Sequence, residues 1–439
     1  MKVAWFTPFC RTSSIGRRSA EIVDELRADA EVDVWCPHAT DLWETDARVI
    51  PFRASDISTV RRLKAYDLAV YSVGNYAPYH AEIFRVLEAH PGIVILHDYV
   101  MLNFFYEYVQ SSGYSTSAIR LLLEKHYGHE ASRAADNPRL CEAENAIKYP
   151  LCEEAVSGSL GAIVHSEYVA ARIKRLGVIP VQKLELPCEA LRGVKLQGRK
   201  ELGLSENDFV VVSAGHINRN KRIHSVLEAI AASPALRRST KYIVIGPSDP
   251  GYQMELDRLV ASNKLQCIVQ FSGFVSDEIL ESYLSNANVC VNLRFPSLEG
   301  ASGSALEQMM HGKPLIVSRS GWFNELPEDV AIKVDPADEV KGVRDGLLTL
   351  LESPDRRRVL GEVGRSYVRA HCSARSYAEG FLRFARQVRR CAPLLGLADR
   401  LAAALNSLGI DGKSTVVSSV SEECANLFRN RGTEYDIES

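Results

Sequence analysis

Short runs of apolar, β-prone residues alternate with amphipathic segments along most of the chain. In the first half these runs predict strands at residues 2–7, 32–36, 67–73, 93–96, 162–165 and 181–186. In the second half they predict strands at residues 210–215, 241–246, 268–274, 288–293, 314–317 and 331–334. Helical patterns separate the strands, as at residues 17–27, 81–89 and 223–231, and parallel strands need such crossovers. The pattern therefore predicts an α/β protein with two doubly wound parallel sheets in tandem.

Four segments depart from this alternation. Residues 101–158 are mostly helical in pattern and predict an insertion into the first domain. Residues 187–201 are polar and basic, as expected of a connection between domains, so we place the domains at 1–190 and 191–370. Residues 355–385 have a helical pattern. Residues 391–439 form a C-terminal extension with predicted helices at 394–408 and 418–430, separated by a Gly-Lys-Ser break.

Composition narrows the class of protein. The chain has 439 residues and a formal net charge of -3, and it lacks a long basic run, so nucleic acid is not an expected partner. Its first residues, MKVAWFTPFC, lack the apolar core of a signal peptide, and no apolar run is long enough to span a bilayer. The ten cysteines are scattered without C-x-x-C pairs, which indicates reduced thiols. We therefore expect a cytoplasmic protein.

The loop at residues 295–307 contains the first candidate chemistry. It lies between a predicted strand and a short predicted helix, at the edge of the sheet where open α/β folds bind ligands. Ser302, Gly303 and Ser304 offer backbone N–H groups to an anion at the start of that helix. Glu299 and Glu307 suit hydroxyl groups on the same ligand, so the loop indicates a sugar nucleotide. A structural alternative is that Ser304 and Glu307 form an S-x-x-E capping box, with Glu299 solvated.

A second strand-to-helix loop, GHINRNKR at residues 215–222, is unusually basic. Arg219, Lys221 and Arg222 stand at the start of a predicted helix, where cations oppose the helix dipole at about 0.3–1 kcal/mol each. A bound polyanion would reverse this cost, and a solvated basic turn is the alternative.

The first loop resembles the E-x7-E motif of glycosyltransferase family 4, which comprises retaining enzymes of the GT-B fold. The resemblance implies that Glu299 contacts the transferred sugar and Glu307 the nucleotide ribose. Ser302 stands where that family usually has glycine, and Gly303 follows one position later. The resemblance also implies a central cleft between the two domains and a crossover helix, at residues 371–390, that returns to the first domain.

The basic loop is similar to the family's G-R-x-x-x-x-K segment, whose cations hold the donor diphosphate. Lys221 matches the lysine, His216 replaces the arginine, and Arg219 is a candidate to compensate. Further donor contacts implied by the resemblance are Gly16 in the first strand-to-helix loop, His97 at the sugar, and the backbone of Gly273, Phe274 and Val275 at the base. Asn75, His80 and Asp98 are candidates on the acceptor side.

These residues together predict a retaining glycosyltransferase that moves a sugar from a UDP- or GDP-linked donor to an acceptor hydroxyl. Glu299, Lys221 and His97 are the expected catalytic groups, and we expect no metal and no further cofactor. Peripheral membrane contact and a homo-oligomer through the extension are possible partnerships. The alternatives are a GT-B epimerase or phosphorylase, or a non-catalytic protein that binds sugar nucleotides.

Overall fold

A computed structural model of the protein describes residues 1–38, 40–111, 116–177, 179–190, 195–410 and 414–429. Two wholly parallel sheets form its framework. The first has the order β3-β2-β1-β4-β5-β6-β7, with β1 (Lys2–Phe6), β2 (Glu31–Cys36), β3 (Arg48–Pro51), β4 (Leu68–Val73), β5 (Ile93–Leu96), β6 (Gly161–Val164) and β7 (Val181–Lys183). The second has the order β10-β9-β8-β11-β12-β13, with β8 (Phe209–Ala214), β9 (Thr240–Ile245), β10 (Val269–Gly273), β11 (Val289–Asn292), β12 (Leu315–Ser318) and β13 (Ile332–Val334).

Helices cover both faces of each sheet. Those of the first half are α1 (Ser14–Leu26), α2 (Ile57–Leu63), α3 (Ala77–Ala89), α4 (Leu102–Ser111), α5 (Thr116–Tyr127), α6 (His129–Ser132), α7 (Ala143–Ala146), α8 (Cys152–Val156) and α9 (Glu167–Lys174). Those of the second half are α10 (Ile223–Ala231), α11 (Pro234–Ser239), α12 (Pro250–Ser262), α13 (Asp277–Asn286), α14 (Gly303–Met310), α15 (Glu339–Glu352), α16 (Pro354–His371), α17 (Ala374–Ser407) and α18 (Thr415–Arg429). Short 3-10 turns lie at Arg133–Asp136, Arg219–Lys221, Gly321–Glu325 and Pro336–Asp338.

The predicted α/β class and the two parallel sheets are confirmed, as are the twelve predicted strands. Two helix predictions were wrong. Helix α1 begins at Ser14 rather than at residue 17, with Ser13 as its cap, so Gly16 lies in the first helical turn rather than in a loop. Helix α17 continues through Pro393, so the predicted separate helix at 394–408 is the second half of one long helix. The predicted break at Gly412-Lys413 falls on residues outside the described ranges.

Helix α17 packs on the first sheet although it follows the second sheet in sequence. Its buried face carries Tyr377, Phe381 and Phe384, which belong to the core around β1. The rings of Trp5 and Phe381 lie edge to face, with their centroids 5.3 Å apart. The two domains are therefore tied together through this helix. The domain limits at residues 190 and 370 stay predictions. Helix α17 follows the second domain in sequence but packs on the first.

A second connection joins the two sheets directly at their carboxyl ends. The backbone N–H of Gly300 donates to the carbonyl of His97 at 2.9 Å, and the carbonyl of Leu298 accepts from Tyr99 at 2.9 Å and Val100 at 3.0 Å. A β-carbon on Gly300 would lie 2.8 Å from the His97 oxygen, so this approach requires glycine. The loop after β11 is thereby held against the end of β5. Across the described part of the chain, no helix has the length and apolar content to cross a bilayer.

Candidate functional site

A cavity of about 360 Å³ lies between the carboxyl ends of the two sheets. We call it the cleft cavity. Its wall in the first domain is Ser14, Ile15, Arg18, His97, Asp98, His165 and Leu186. Its wall in the second domain is Ala214, Gly215, His216, Lys221, Leu280, Arg294, Glu299, Ala301, Ser302, Gly303, Ser304 and Glu307. The cavity therefore brings together nine of the residues that the sequence predicted: His97, Asp98, His216, Lys221, Glu299, Ser302, Gly303, Ser304 and Glu307.

Lys221 ends a 3-10 turn and is only 9% exposed. Its Nζ would lie 3.0 Å from a β-carbon on Gly215, whose φ of +118° also favours glycine. Within the described ranges, no carboxylate lies within ion-pair distance of this amine. Burial, together with the charge of Arg294, lowers the pKa of Lys221 to about 7, although Glu299 opposes the change. The amine is thus free to bind an anion and gains a full charge when it does.

Arg294 and Glu299 form an ion pair beside Lys221, with Nε and Oε1 3.0 Å apart. Burial alone would raise the pKa of Glu299, but the charges of Arg294 and Lys221 lower it, so this carboxylate is ionised. Burial raises the pKa of the nearby Asp98 to about 7; Glu299 adds to the rise and a hydrogen bond from Asn75 N–H opposes it. The two neighbouring carboxyl groups therefore differ in charge near neutral pH, and only Glu299 is firmly anionic.

Two neutral histidines complete this side of the cavity. The ring centroids of His97 and His165 lie 5.1 Å apart, and among the described residues the Nε2 atom of each is buried without a hydrogen-bond partner. Burial lowers the pKa of His165 to about 4 and that of His97 well below its ordinary value. His165 Nδ1 faces the carbonyl of Leu184 at 3.1 Å, so Nδ1 carries the proton and Nε2 is an acceptor. Such groups suit ligand hydroxyls better than phosphates.

The start of α14 forms the anion-facing part of the wall. Its cap is Ser302, whose hydroxyl accepts from Ala305 N–H at 3.3 Å. The alternative capping box from Ser304 was therefore wrong, since Ser304 bonds instead to Asn292 Nδ2 at 3.0 Å. Helix N-termini favour anions through their free N–H groups and dipole.

Glu307 does not serve the helix cap; it bonds across the cleft. Its Oε1 atom accepts from Arg17 at 3.2 Å and from Arg18 at 2.5 Å, both on α1 of the first domain. In the described part of the chain, Oε2 of Glu307 accepts no hydrogen bond. One oxygen thus links the domains, and the other is available to a ligand hydroxyl.

Three predicted residues of the first domain lie outside the lining of the cavity. Gly16 packs against the preceding loop, since a β-carbon there would be 2.3 Å from the carbonyl oxygen of Pro8. The side chain of Asn75 accepts from Phe104 N–H at 2.8 Å. His80 is buried against the carbonyl of Ser72 at 3.0 Å. Each of these residues has a packing role that the sequence pattern does not distinguish from a binding role.

Four predicted residues of the second domain also lie outside the lining. Gly273 ends β10 at the far edge of the sheet, and Phe274 and Val275 follow it; Phe274 is largely exposed. Arg219 points away from the cleft cavity. Outside the cavity, its guanidinium pairs with Glu255 and lies 5.7 Å from the ring centre of Tyr252. Arg219 therefore does not compensate inside the cavity for the replacement at His216, which itself pairs with Asp249 at 2.7 Å.

The structure adds residues that sequence reasoning missed, chiefly Arg18, His165 and Arg294. His165 and Arg294 directly follow apolar strand patterns, as His97 does, so their position at a strand end was a usable signal. Arg18 sits in an amphipathic helix whose charged face looks solvated in sequence, and only its pairing with Glu307 across the cleft identifies it.

Comparisons with known proteins show similarity to glycosyltransferases. Residues 194–367 match the family model described as glycosyl transferases group 1. The matched segment contains Lys221, Arg294, Glu299 and Glu307. Over 168 residues, which are 37% of this chain, the sequence is 35% identical to the MMP alpha-(1->4)-mannosyltransferase of Mycolicibacterium hassiacum. The aligned stretch spans 39% of that relative's own length.

Solved structures resemble the whole two-domain framework. Sucrose-phosphate synthase from Thermosynechococcus elongatus has a TM-score of 0.62 at 19% identity, covering 88% of this chain and 99% of that one. Anabaena HepE in complex with UDP has a TM-score of 0.61 at 14% identity, covering 88% of this chain and 100% of that one. At these identities the likeness concerns the fold alone. The predicted GT-B fold is confirmed: two Rossmann-like domains face a central cleft, and helices follow at the C-terminal end.

Proposed function

We propose that the protein is a retaining glycosyltransferase that moves a sugar from a nucleoside-diphosphate sugar to an acceptor hydroxyl. The observation that carries the proposal is the cleft cavity itself. It places a buried amine that has no ion-pair partner among the described residues (Lys221), a helix N-terminus (Ser302–Ser304) and an ionised carboxylate (Glu299) around one space of about 360 Å³. The group 1 match of residues 194–367 supports the same reaction class, and the UDP bound to HepE supports a nucleotide donor.

In the proposed complex, separate parts of the donor contact separate groups of the cleft cavity. The diphosphate lies at Lys221 and the start of α14, where fixed positive charge stabilises the departing phosphate oxygen. Glu299, held by Arg294, accepts hydrogen bonds from hydroxyls of the transferred sugar, as do the neutral rings of His97 and His165. The free Oε2 of Glu307 accepts from a ribose hydroxyl while Oε1 keeps its arginines.

The transfer itself needs no nucleophile from the protein. The acceptor oxygen forms a bond to the anomeric carbon on the face from which the diphosphate leaves, and the bond to the phosphate oxygen breaks. The acceptor proton passes to that leaving oxygen, so charge and atoms balance. Retention at the anomeric carbon and independence of metal are parts of the proposal. Within the described residues, no group of three His, Cys, Asp or Glu side chains is arranged to hold a metal ion.

Donor turnover in two variants tests the proposal. A panel of UDP- and GDP-linked sugars is incubated with the native protein, and release of nucleoside diphosphate is measured with a mixture of candidate acceptors. We expect Lys221→Ala and Glu299→Gln to lower kcat by about 100-fold or more, in the range of losses for electrostatic groups at a reacting centre. Lys200→Ala changes an exposed lysine and is the matched control. Near-native rates in both site variants would contradict the proposal.

The products separate this proposal from the other GT-B reactions. Transfer gives a glycosylated acceptor with the donor's anomeric configuration. An epimerase converts the donor without an acceptor, and a phosphorylase needs inorganic phosphate. A protein that binds nucleoside diphosphates and consumes none of the donors would indicate a binding role.

A further inference from the structure

A second and larger cavity, of about 630 Å³, lies between the helical insertion and the second domain. We call it the insertion cavity. Its wall in the first domain includes Asn103 and Arg139, and its wall in the second domain includes Asn218, Asn220, Tyr252 and Phe295. Its volume is that of a small-molecule site, for which roughly 300–1,000 Å³ is usual.

The insertion cavity adjoins the cleft cavity. Leu298 lines the former and Glu299, the next residue, lines the latter. His216 of the cleft cavity bonds to Asp249 of the insertion cavity at 2.7 Å. A ligand in the insertion cavity is therefore separated from the cleft cavity by one loop and one side-chain pair.

The formal charges of the wall are balanced, and its arginines are engaged. Arg139 pairs with Glu142 at 2.7 Å, Arg222 pairs with Glu339 at 2.8 Å, and Arg219 pairs with Glu255. Three arginines thus face the cavity together with three carboxylates, and each arginine already has an acidic partner. An anionic ligand would have to compete for these cations, so the wall favours a neutral ligand over a phosphate.

Among the uncharged groups of the wall, the hydrogen-bonding capacity belongs chiefly to carboxamides. In the described part of the chain, the Oδ1 atoms of Asn103 and Asn218 are buried without a hydrogen-bond partner, and the side chain of Asn220, a residue only 5% exposed, makes no hydrogen bond either. A carboxamide both accepts through its oxygen and donates through its NH₂ group, which matches the two-way capacity of a hydroxyl. Three such groups in one wall suit a ligand with several hydroxyls.

An aromatic ring completes the wall. Phe295 is 44% exposed, although Arg294 before it and Ser297 two positions after it are buried. An exposed ring in a polar cavity offers a flat apolar face, which suits the C–H face of a pyranose. Neutral charge, free carboxamides and one exposed ring together match a saccharide.

We propose that the insertion cavity binds a neutral saccharide, as the part of the acceptor that lies farther from the reacting hydroxyl. The role as acceptor rests on the proposed glycosyl transfer in the adjoining cleft cavity. The saccharide site itself stands on the wall of the insertion cavity alone.

Saturation-transfer NMR on the full chain tests the site without any donor. The probes are neutral di- and trisaccharides of glucose and of mannose, with glucose 6-phosphate and inorganic phosphate as anionic comparators. We expect at least one neutral saccharide to bind, with its affinity unchanged by saturating UDP or GDP. Phe295→Ala and Asn218→Ala should each weaken that binding by about tenfold, whereas Leu121→Ala, an exposed apolar residue elsewhere on the insertion, should not.

Three results would overturn the inference: no neutral saccharide binds, the anionic comparators bind more tightly than the saccharides do, or Phe295→Ala and Asn218→Ala bind as the native protein does. Circular dichroism of each variant excludes unfolding as the cause of a loss. Failure of the proposed function gives a different result from failure of the saccharide site. In that case no nucleoside-diphosphate sugar is consumed, although the saccharide still binds. A bound saccharide that receives no sugar from a consumed donor would overturn its role as acceptor.

Discussion

Lys221 is the residue on which the chemistry of the cleft cavity depends most. Its amine is buried beside Arg294 and lacks a close carboxylate within the described ranges, so its pKa falls to about 7. A lysine that is half neutral at neutral pH binds an anion poorly until it takes up a proton. The binding of a diphosphate supplies the missing counter-charge and raises the pKa again.

We therefore expect proton uptake when the donor binds. At pH 8 the free amine is mostly neutral, so binding of the sugar nucleotide that the native protein accepts should take up about 0.9 proton. Affinity should fall as the pH rises above 7, because the proton must then come from a more alkaline solution. Isothermal titration calorimetry in two buffers of different ionisation enthalpy measures the uptake.

Lys221→Arg is the control for this prediction, since a guanidinium stays charged throughout the range. The other titratable groups around Lys221, among them Asp98, Glu299, His97 and His165, are the same in both proteins. The difference in proton uptake between the two proteins thus belongs to Lys221. Equal uptake by native protein and variant would show that the amine is already charged before the donor arrives.

At the scale of elements, the start of α14 combines a structural role with a binding role. Ser302 caps the helix, and the same turn presents N–H groups to the cleft cavity. Ser304, two residues later, bonds to Asn292 rather than to the helix end. Ser302 therefore caps the helix, whereas Ser304 bonds elsewhere.

Replacing each serine by alanine tests this assignment. Ser302→Ala should lower the free energy of unfolding of the second domain by about 1 kcal/mol, the usual cost of losing a cap. It should also weaken nucleoside-diphosphate binding, because the first turn of α14 frays. Ser304→Ala should keep the cap. Urea denaturation and calorimetric titration measure the two effects. Destabilisation by Ser304→Ala alone would restore the capping box that the sequence suggests.

The elements also show how far the sequence alone reaches. Apolar runs such as those of β5 and β11 identify buried parallel strands because both faces are covered, whereas β3 (Arg48–Pro51) was not predicted. It is a short edge strand that is partly exposed and ends on proline. Pro393 favours a helix break in sequence, yet α17 continues through it.

The single residues of the site also differ in whether the sequence alone could predict their positions. The resemblance to glycosyltransferase family 4 selected Lys221, Glu299 and His97, and the structure places all three in the cleft cavity, in segments that follow strands at the carboxyl edges of the sheets. The pairing of Glu307 with Arg18, 289 positions away, could not be predicted, because it depends on how the two domains meet. Gly16 and His80 satisfy local packing in ways that a motif cannot reveal.

At the scale of the whole molecule, the closed cleft depends on contacts between the domains. Besides the pairing of Glu307 with the arginines of α1, Glu325 of the second domain reaches the start of α9 in the first. Its two carboxylate oxygens accept from the N–H groups of Glu167 and Tyr168, each at 2.9 Å, and Lys183 lies 3.2 Å away. A carboxylate at a helix N-terminus is favourable, so this contact stabilises the closed arrangement.

Removing this contact should open the cleft without touching its wall, since Glu325 lies outside the cleft cavity. We expect Glu325→Ala to weaken the closed state by about 1–2 kcal/mol, because two hydrogen bonds to a charged group are replaced by bonds to water. The donor KM should rise by about 5- to 30-fold, the ratio that this free energy implies, while kcat changes little. Small-angle X-ray scattering should give a larger radius of gyration.

Glu328→Ala is the matched control, because Glu328 bonds to Arg319 and Lys333 within its own domain. If Glu325→Ala and Glu328→Ala scatter alike and keep the native KM, the closed arrangement does not depend on Glu325. In that case α17 and the backbone hydrogen bond from Gly300 to His97 are enough to hold the two sheets together.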